Sequence, residues 1–377
     1  MKFKILFQLF AGFAIAFCLI YYLYSGAIAF ENLALGTQTS TYEAVNEDSI
    51  TIHCLRLNQE FINATDRNVH YKTDSLLLIL GNSQSHSINQ LRPHQTTFTG
   101  ILNERPRFKN QILTCSFPNA NMQEYLLLFN FWTDRYAIRQ LVLPVFFDDY
   151  REDGIRDVFI PYIVQQQYVM KDTTAYIAQQ INQNLRTYWK AQLEKNAGLD
   201  SNNDQAALKQ TVQERIEFKL NQYLDNHLVV WSNRANVRGT LFNYLYMTRN
   251  TILGINASTI RPIIKDRYDK NMGALKEILR KANKLHIKVL LYVPPIRSDV
   301  VLPYNINDYA AFKKELAQLV IEYPNVVFRN FESCIPGSLW GYKEATNLLD
   351  EKEIDYMHFQ YKGHQILADS LFKYIQF

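Results

Sequence analysis

Five short apolar runs recur along this chain, and stretches with helical spacing follow or separate them. The runs are SLLLILG (Ser75 to Gly81), QILTCSF (Gln111 to Phe117), QLVLPVFF (Gln140 to Phe147), IKVLLYVPP (Ile287 to Pro295) and NVVFRN (Asn325 to Asn330). Their length and nearly continuous apolar character suit strands buried on both faces. Between or after them lie NMQEYLLLFNFW, DRYDKNMGALKEILRKANKLH, DYAAFKKELAQLVIEYP and GHQILADSLFKYI. This alternation predicts an α/β fold with a parallel sheet and helices on both faces. The 377 residues, nearly half of them apolar, can bury a sizeable core as one large domain with an insertion or as two domains.

The rhythm breaks between residues 150 and 263, which hold long polar and amphipathic patterns such as TAYIAQQINQNLRTYWKAQLEK and QTVQERIEFKLNQYL. This part is expected to be a helical insertion between the third and fourth strands. Its last segment, GTLFNYLYMTRNTILGI, is read as a buried helix, with a membrane-facing or partner-facing helix as the alternative.

At the N-terminus Lys2 and Lys4 precede Ile5 to Phe30, a run without a charge. It is long enough to cross a hydrocarbon core of about 30 Å as a helix. Residues 1–30 are therefore expected to be a transmembrane anchor, with the lysines cytoplasmic and the rest of the chain outside. Ala27-Ile28-Ala29 resembles a signal-peptidase site, so cleavage is the alternative. Residues 31–70 are polar and read as a stalk, and 71–377 as the α/β domain. The chain has 40 basic and 36 acidic residues, and with Lys2 and Lys4 set aside the exported part is nearly neutral. No basic block argues for nucleic acid. Cys18, Cys54, Cys115 and Cys334 show no metal-ligand spacing, so no metal or cofactor is implied.

In open α/β sheets ligands bind beyond the carboxyl ends of the strands. After the first run stand Gly81, Asn82 and Ser83, and Ile88 and Leu91 are spaced to begin a helix. A serine at such a strand-to-helix turn lies beside unpaired backbone N–H groups, where a nucleophile belongs, and it is also an ordinary helix cap. Near the C-terminus EIDYMHFQYKGHQILADSL holds Asp355 and His358. Their i, i+3 spacing lets both side chains share one side of a turn. Serine, histidine and aspartate are the types that acyl transfer requires. His364 is a rival base, and His86 is expected to face solvent.

The Gly81-Asn82-Ser83 strand end and the terminal Asp355, His358, Gly363 and Leu367-Ala368 resemble the SGNH (GDSL-like) hydrolases and acyltransferases. The anchor, the NANMQEYLLL block, the insertion and VPPIRSD are most similar to a membrane-anchored branch. That branch works beside membrane-bound O-acyltransferases and includes the D-alanyl transfer protein of lipoteichoic acid synthesis and the SGNH proteins of alginate O-acetylation. The resemblance implies a three-layer α/β/α domain in which Ser83 is the nucleophile, His358 the base and Asp355 its orienting carboxylate. Two departures stand out: Asn82 replaces the usual aspartate, and no G-x-N follows the third run, which reads PVFFDD. Candidate oxyanion donors are the N–H groups of Ser83 and Ala120 and the Asn121 side chain, with Asn119 as an alternative. Arg297 is either a partner for a substrate phosphate or carboxylate, or an exposed loop arginine.

The implied function is an O-acyltransferase or esterase acting on a cell-envelope polymer outside the cytoplasmic membrane, with a membrane-bound O-acyltransferase as its partner. A non-catalytic scaffold or polymer-binding module of the same fold is the alternative.

Overall fold

The computed structural model describes residues 55–72, 76–108, 111–200 and 234–376, and positions 11–12, 15–16, 18, 39–41, 219–220, 222–224, 226–227 and 231. All five apolar runs are strands: β2 (Leu76–Gly81), β4 (Ile112–Ser116), β5 (Ile138–Pro144), β6 (Lys288–Val293) and β7 (Val326–Asn330). They form one parallel sheet in the order β4-β2-β5-β6-β7. The chain runs from β2 outward to β4 and then crosses back to β5 on the other side. The point where this order reverses lies beside the end of β2, which is where such sheets open a crevice.

Period-two alternation splits the sheet between two cores. Leu76, Leu78 and Leu80 of β2 point to one face with Leu141, Leu143, Val289 and Leu291. The helices covering that face are α1 (Gln59–Lys72), α3 (Met122–Arg135), α5 (Tyr176–Asp200), α7 (Lys265–Lys284) and α8 (Ile306–Leu319). Leu77, Ile79, Val142 and Leu290 point to the other face, under α2 (Phe98–Asn103) and α9 (Tyr361–Phe372). The result is a three-layer α/β/α arrangement. Truncating Leu78 to Ala would remove a side chain packed on all sides and cost about 2–5 kcal/mol.

The described residues between β5 and β6 are mainly helical: α4 (Pro161–Gln165), α5, α6 (Arg234–Ile252) and α7. In α5, Ile177, Ile181, Leu185 and Trp189 fall four apart and carry one stripe into the core. Two compact units divide the chain. The larger comprises Gln38–Lys190, Ala257–Tyr342 and Ile354–Phe377, and the smaller Met1–Thr37, Ala191–Asn256 and Lys343–Glu353.

Three expectations change. The stretch read as a stalk contains α1, and Leu57, Phe61 and Ile62 are buried in the main core. The Leu57 N–H donates to Phe159 O at 2.7 Å, and its carbonyl accepts from Tyr162 N at 3.0 Å, so this stretch is built into the domain. No helix follows Ser83. A three-residue 3-10 turn, Ser83–Ser85, gives way to β3 (Ser87–Asn89), which pairs antiparallel with β1 (Thr39–Thr41). The GTLFNYLYMTRNTILGI segment is also not a buried helix, because Leu241, Phe242, Tyr244, Leu245 and Ile252 are exposed. The anchor run lies outside the described residues apart from a few positions. Among the described residues no helix is long and apolar enough to cross a membrane.

Candidate active site

Ser83 owes its position to the way β2 ends. A Cβ on Gly81 would lie 2.1 Å from Ser85 Oγ and 2.8 Å from Ser85 Cβ, so the chain can fold back this tightly only at glycine. Asn82 then caps the turn, its Oδ1 accepting from Gln84 N at 3.1 Å. The amide Nδ2 of Asn82 donates to both carboxylate oxygens of buried Asp149, at 3.1 and 3.3 Å. Burial pushes the Asp149 carboxyl well above its ordinary value despite the Asn82 amide, and the charges of Asp148 and Glu152 push it the same way. Gln84 completes the frame: its Nε2 donates to Pro295 O at 2.9 Å and Met357 O at 2.7 Å. The serine turn is thereby fastened to the segment that carries the histidine.

That segment is β9 (Lys352–Phe359), which forms a two-stranded sheet with β8 (Trp340–Glu344). In a regular strand, residues three apart face opposite sides. The Asp355 side chain overrides this by folding back on its own backbone, where Oδ1 accepts from Met357 N and His358 N, both at 3.0 Å. The resulting bend places His358 Nδ1 at 3.1 Å from both carboxylate oxygens. Asn89 Nδ2 donates to Asp355 Oδ2 at 3.2 Å and to Tyr342 O at 3.2 Å. Asn89 fits there because residue 341 is glycine: a Cβ would lie 2.1 Å from Asn89 Oδ1. Burial pushes the Asp355 carboxyl up. The adjacent His358 and the two backbone N–H groups outweigh burial and hold it below the usual carboxylate value.

The far nitrogen of the ring, His358 Nε2, lies 2.9 Å from Ser83 Oγ. With the carboxylate accepting a hydrogen bond from Nδ1–H, Nε2 is left to accept from the serine hydroxyl. Ser83 is 8 % exposed, and Asp355 lies wholly inside. Ser83, His358 and Asp355 thus stand in one hydrogen-bonded line, with the geometry a nucleophile, base and orienting group require.

The other sequence candidates do different work. Ala120 N donates to Phe117 O at 3.2 Å. Asn121 caps α3, its Oδ1 accepting from Gln123 N and Glu124 N while Nδ2 donates to Gly154 O. Of the three groups expected to face an oxyanion, the Ala120 N–H is thus held in the turn after β4 and the Asn121 side chain in the α3 cap. Asn119 sits at φ +51, and its carbonyl accepts from Arg156 Nη2. Arg297 is buried rather than exposed: Nη1 donates to Gly341 O at 2.7 Å and Nε to Asp299 Oδ1 at 3.1 Å. The first of these bonds holds β8.

His364, the rival base, is buried, with Nδ1 accepting from Phe98 N and Nε2 beside Ser87 O. His86 is buried rather than solvent-facing, its Nδ1 lying 3.0 Å from Ser116 Oγ. Asn89 and Gln84 were not legible as site residues, since each acts on residues more than 200 positions away. Asp149 ends the PVFFDD stretch, and nothing in its neighbours shows in sequence that it holds Asn82.

No protein-family model matches the chain, and no curated protein matches it.

Proposed function

We propose that this chain is an SGNH-type serine acyltransferase or esterase, anchored in the cytoplasmic membrane and acting on a cell-envelope polymer on the extracytoplasmic side. The observation that carries the reading is the line from Ser83 Oγ through both nitrogens of His358 to Asp355. Ser83 Oγ attacks an acyl carbonyl as its proton passes to His358 Nε2, and Asp355 stabilises the imidazolium so formed. The imidazolium then protonates the leaving oxygen, and an acyl-serine remains. A polymer hydroxyl or water, deprotonated by the same ring, releases the acyl group by transfer or hydrolysis respectively. The resemblance to the membrane-anchored SGNH branch supports a membrane-bound O-acyltransferase as the partner that delivers acyl groups.

A second reading, a non-catalytic scaffold of the same fold, draws support from the engagement of the Ala120 N–H in the turn after β4 and of Asn121 in the α3 cap. A serine-reactive phosphonate decides between them. Labelling that is lost in Ser83→Ala is expected for the enzyme, and an unlabelled but folded wild-type chain identifies the scaffold.

A further inference from the structure

In the smaller unit, α6 has its polarity reversed. Asn243 and Asn250, seven residues apart and so on one helix face, are buried. Asn250 Nδ2 donates to Thr346 O at 2.8 Å, and Thr251 Oγ1 accepts from Leu348 N at 2.9 Å. These two bonds tie the end of α6 to the loop at 345–351, between β8 and β9. The outward side carries Leu241, Phe242, Tyr244, Leu245 and Ile252, with Phe242 61 % and Ile252 78 % exposed. Leu349, in the tied loop, is 80 % exposed. A helix in water turns its apolar stripe inward and its amides outward. This one does the opposite at Leu241 to Leu245 and again at Ile252, with Thr248 and Arg249 between them, and exposed apolar side chains grouped in this way mark an interaction surface.

Charge indicates which surface it meets. The α6 sequence RANVRGTLFNYLYMTRNTI holds Arg234, Arg238 and Arg249 and no acidic residue, and in the tied loop exposed Asp350 and Glu351 stand beside exposed Lys352, so the positive charge of this surface lies on the helix. Arginines flanking Leu, Phe and Tyr are the composition of a helix lying in a headgroup layer, where the apolar side chains enter the acyl boundary and the cations meet lipid phosphates. The uncharged run from Ile5 to Phe30 would hold the chain at such a layer. We infer that α6 and the Leu348-Leu349 loop dock on the surface of a bilayer bearing anionic headgroups. The inference deepens the reading of the chain as membrane-tethered and rests on it.

The test uses the full chain with vesicles of phosphatidylglycerol and phosphatidylethanolamine whose acyl chains are brominated near the headgroup. Phe242→Trp and Leu349→Trp each place a new indole on the exposed face, and an unchanged thermal unfolding curve verifies that each folds. Each variant is expected to gain, over wild type, blue-shifted emission that brominated lipid quenches. Phosphatidylcholine vesicles should quench it less, and equal quenching in the two overturns the anionic preference. An indole quenched by iodide and not by bromolipid overturns the docking by showing a water-facing surface. An indole shielded from both quenchers overturns it in favour of a covering protein. Should the chain fail to stay with vesicles through high salt, the tether reading has failed on its own. Quenching is still required when vesicles are added to the soluble chain. None of these readouts uses Ser83, so failure of the catalytic reading shows separately in phosphonate labelling.

Discussion

Asn82 and Asn121 stand just beyond the carboxyl ends of neighbouring strands, β2 and β4, and begin alike. Both have extended backbone, φ −105 and φ −112, and each side-chain oxygen caps the amide two residues on. Beyond the caps they diverge. After Asn121, Glu124 closes a capping box and α3 runs for 14 residues, so the polar groups of the turn are consumed in starting it. After Asn82 the helix stops within one turn, and its side chains reach across the molecule instead, Gln84 to Pro295 and Met357 and Ser83 to His358. The same strand-end asparagine therefore serves a scaffold in one place and frames a reactive hydroxyl in the other. What decides is whether the residues after the cap are satisfied locally or from the far end of the sequence.

The contrast predicts that substitutions at the β2 end change turnover and those at the β4 end change stability. Ser83→Ala and His358→Ala should each lower turnover by about 10⁶-fold, with little further loss in the double variant, because either change stops the same step. Additive losses in single-turnover assays would show that His358 does not serve Ser83. Asp355→Asn, assayed on natively folded protein, should cost up to about 10⁴-fold, since an amide can favour the wrong imidazole tautomer. A loss below tenfold removes Asp355 from the line. Its carboxyl titrates below the ordinary value, so its contribution to stability is complete above about pH 4 and is lost only as pH falls through the folded-state value.

Asn89→Ala removes a hydrogen bond to that carboxylate, worth about 1.5–3 kcal/mol. If this is felt in the transition state, kcat falls roughly 10- to 150-fold. Asn89→Asp should not restore it, because a second carboxylate cannot donate. Across the sheet, Asn121→Ala should lower stability by about 0.5–2 kcal/mol in urea unfolding and leave turnover nearly unchanged. A large loss of turnover there would return Asn121 to the oxyanion site and erase the contrast.

At the β2 end a small effect on turnover is expected from Asp149→Asn, which keeps an oxygen for the Asn82 amide. Because burial raises the Asp149 carboxyl, the folded state holds more protons than the unfolded one between the two pKa values. Wild-type stability therefore falls as pH rises through that window. Asp149→Asn should remove this slope, which unfolding free energies measured from pH 4 to pH 8 will show.

The sheet was readable because its signal is local. SLLLILG and the other four runs match β2, β4, β5, β6 and β7 to within a few residues, and apolar period alone placed α3, α7, α8 and α9. Ser83, His358 and Asp355 were readable from residue type and strand-end position. The rest failed where distant contacts decide. The polar region before β2 hid α1, whose buried stripe is only Phe61, Ile62 and neighbours. Ile88 and Leu91 suggested a helix, yet pairing with Thr39–Thr41 draws residues 87–89 into a strand. Asp355 and His358 read as a turn before a helix. They lie instead in a strand that a carboxylate bends, a conformation no propensity predicts.

The separation of Ser83 from its histidine also orders events in time. The two residues are 275 positions apart, so a ribosome adding about 5–20 residues per second finishes the serine turn roughly 15–55 s before it reaches His358. Strands β2, β4 and β5 neighbour one another in the sheet and can pair while β6 and β9 are still unmade. Throughout that interval the Ser83 hydroxyl is an ordinary alcohol with no ring to take its proton. A growing chain carries a finished strand end but no reagent, and the hydroxyl becomes reactive only when the segment bearing Asp355 and His358 closes over it.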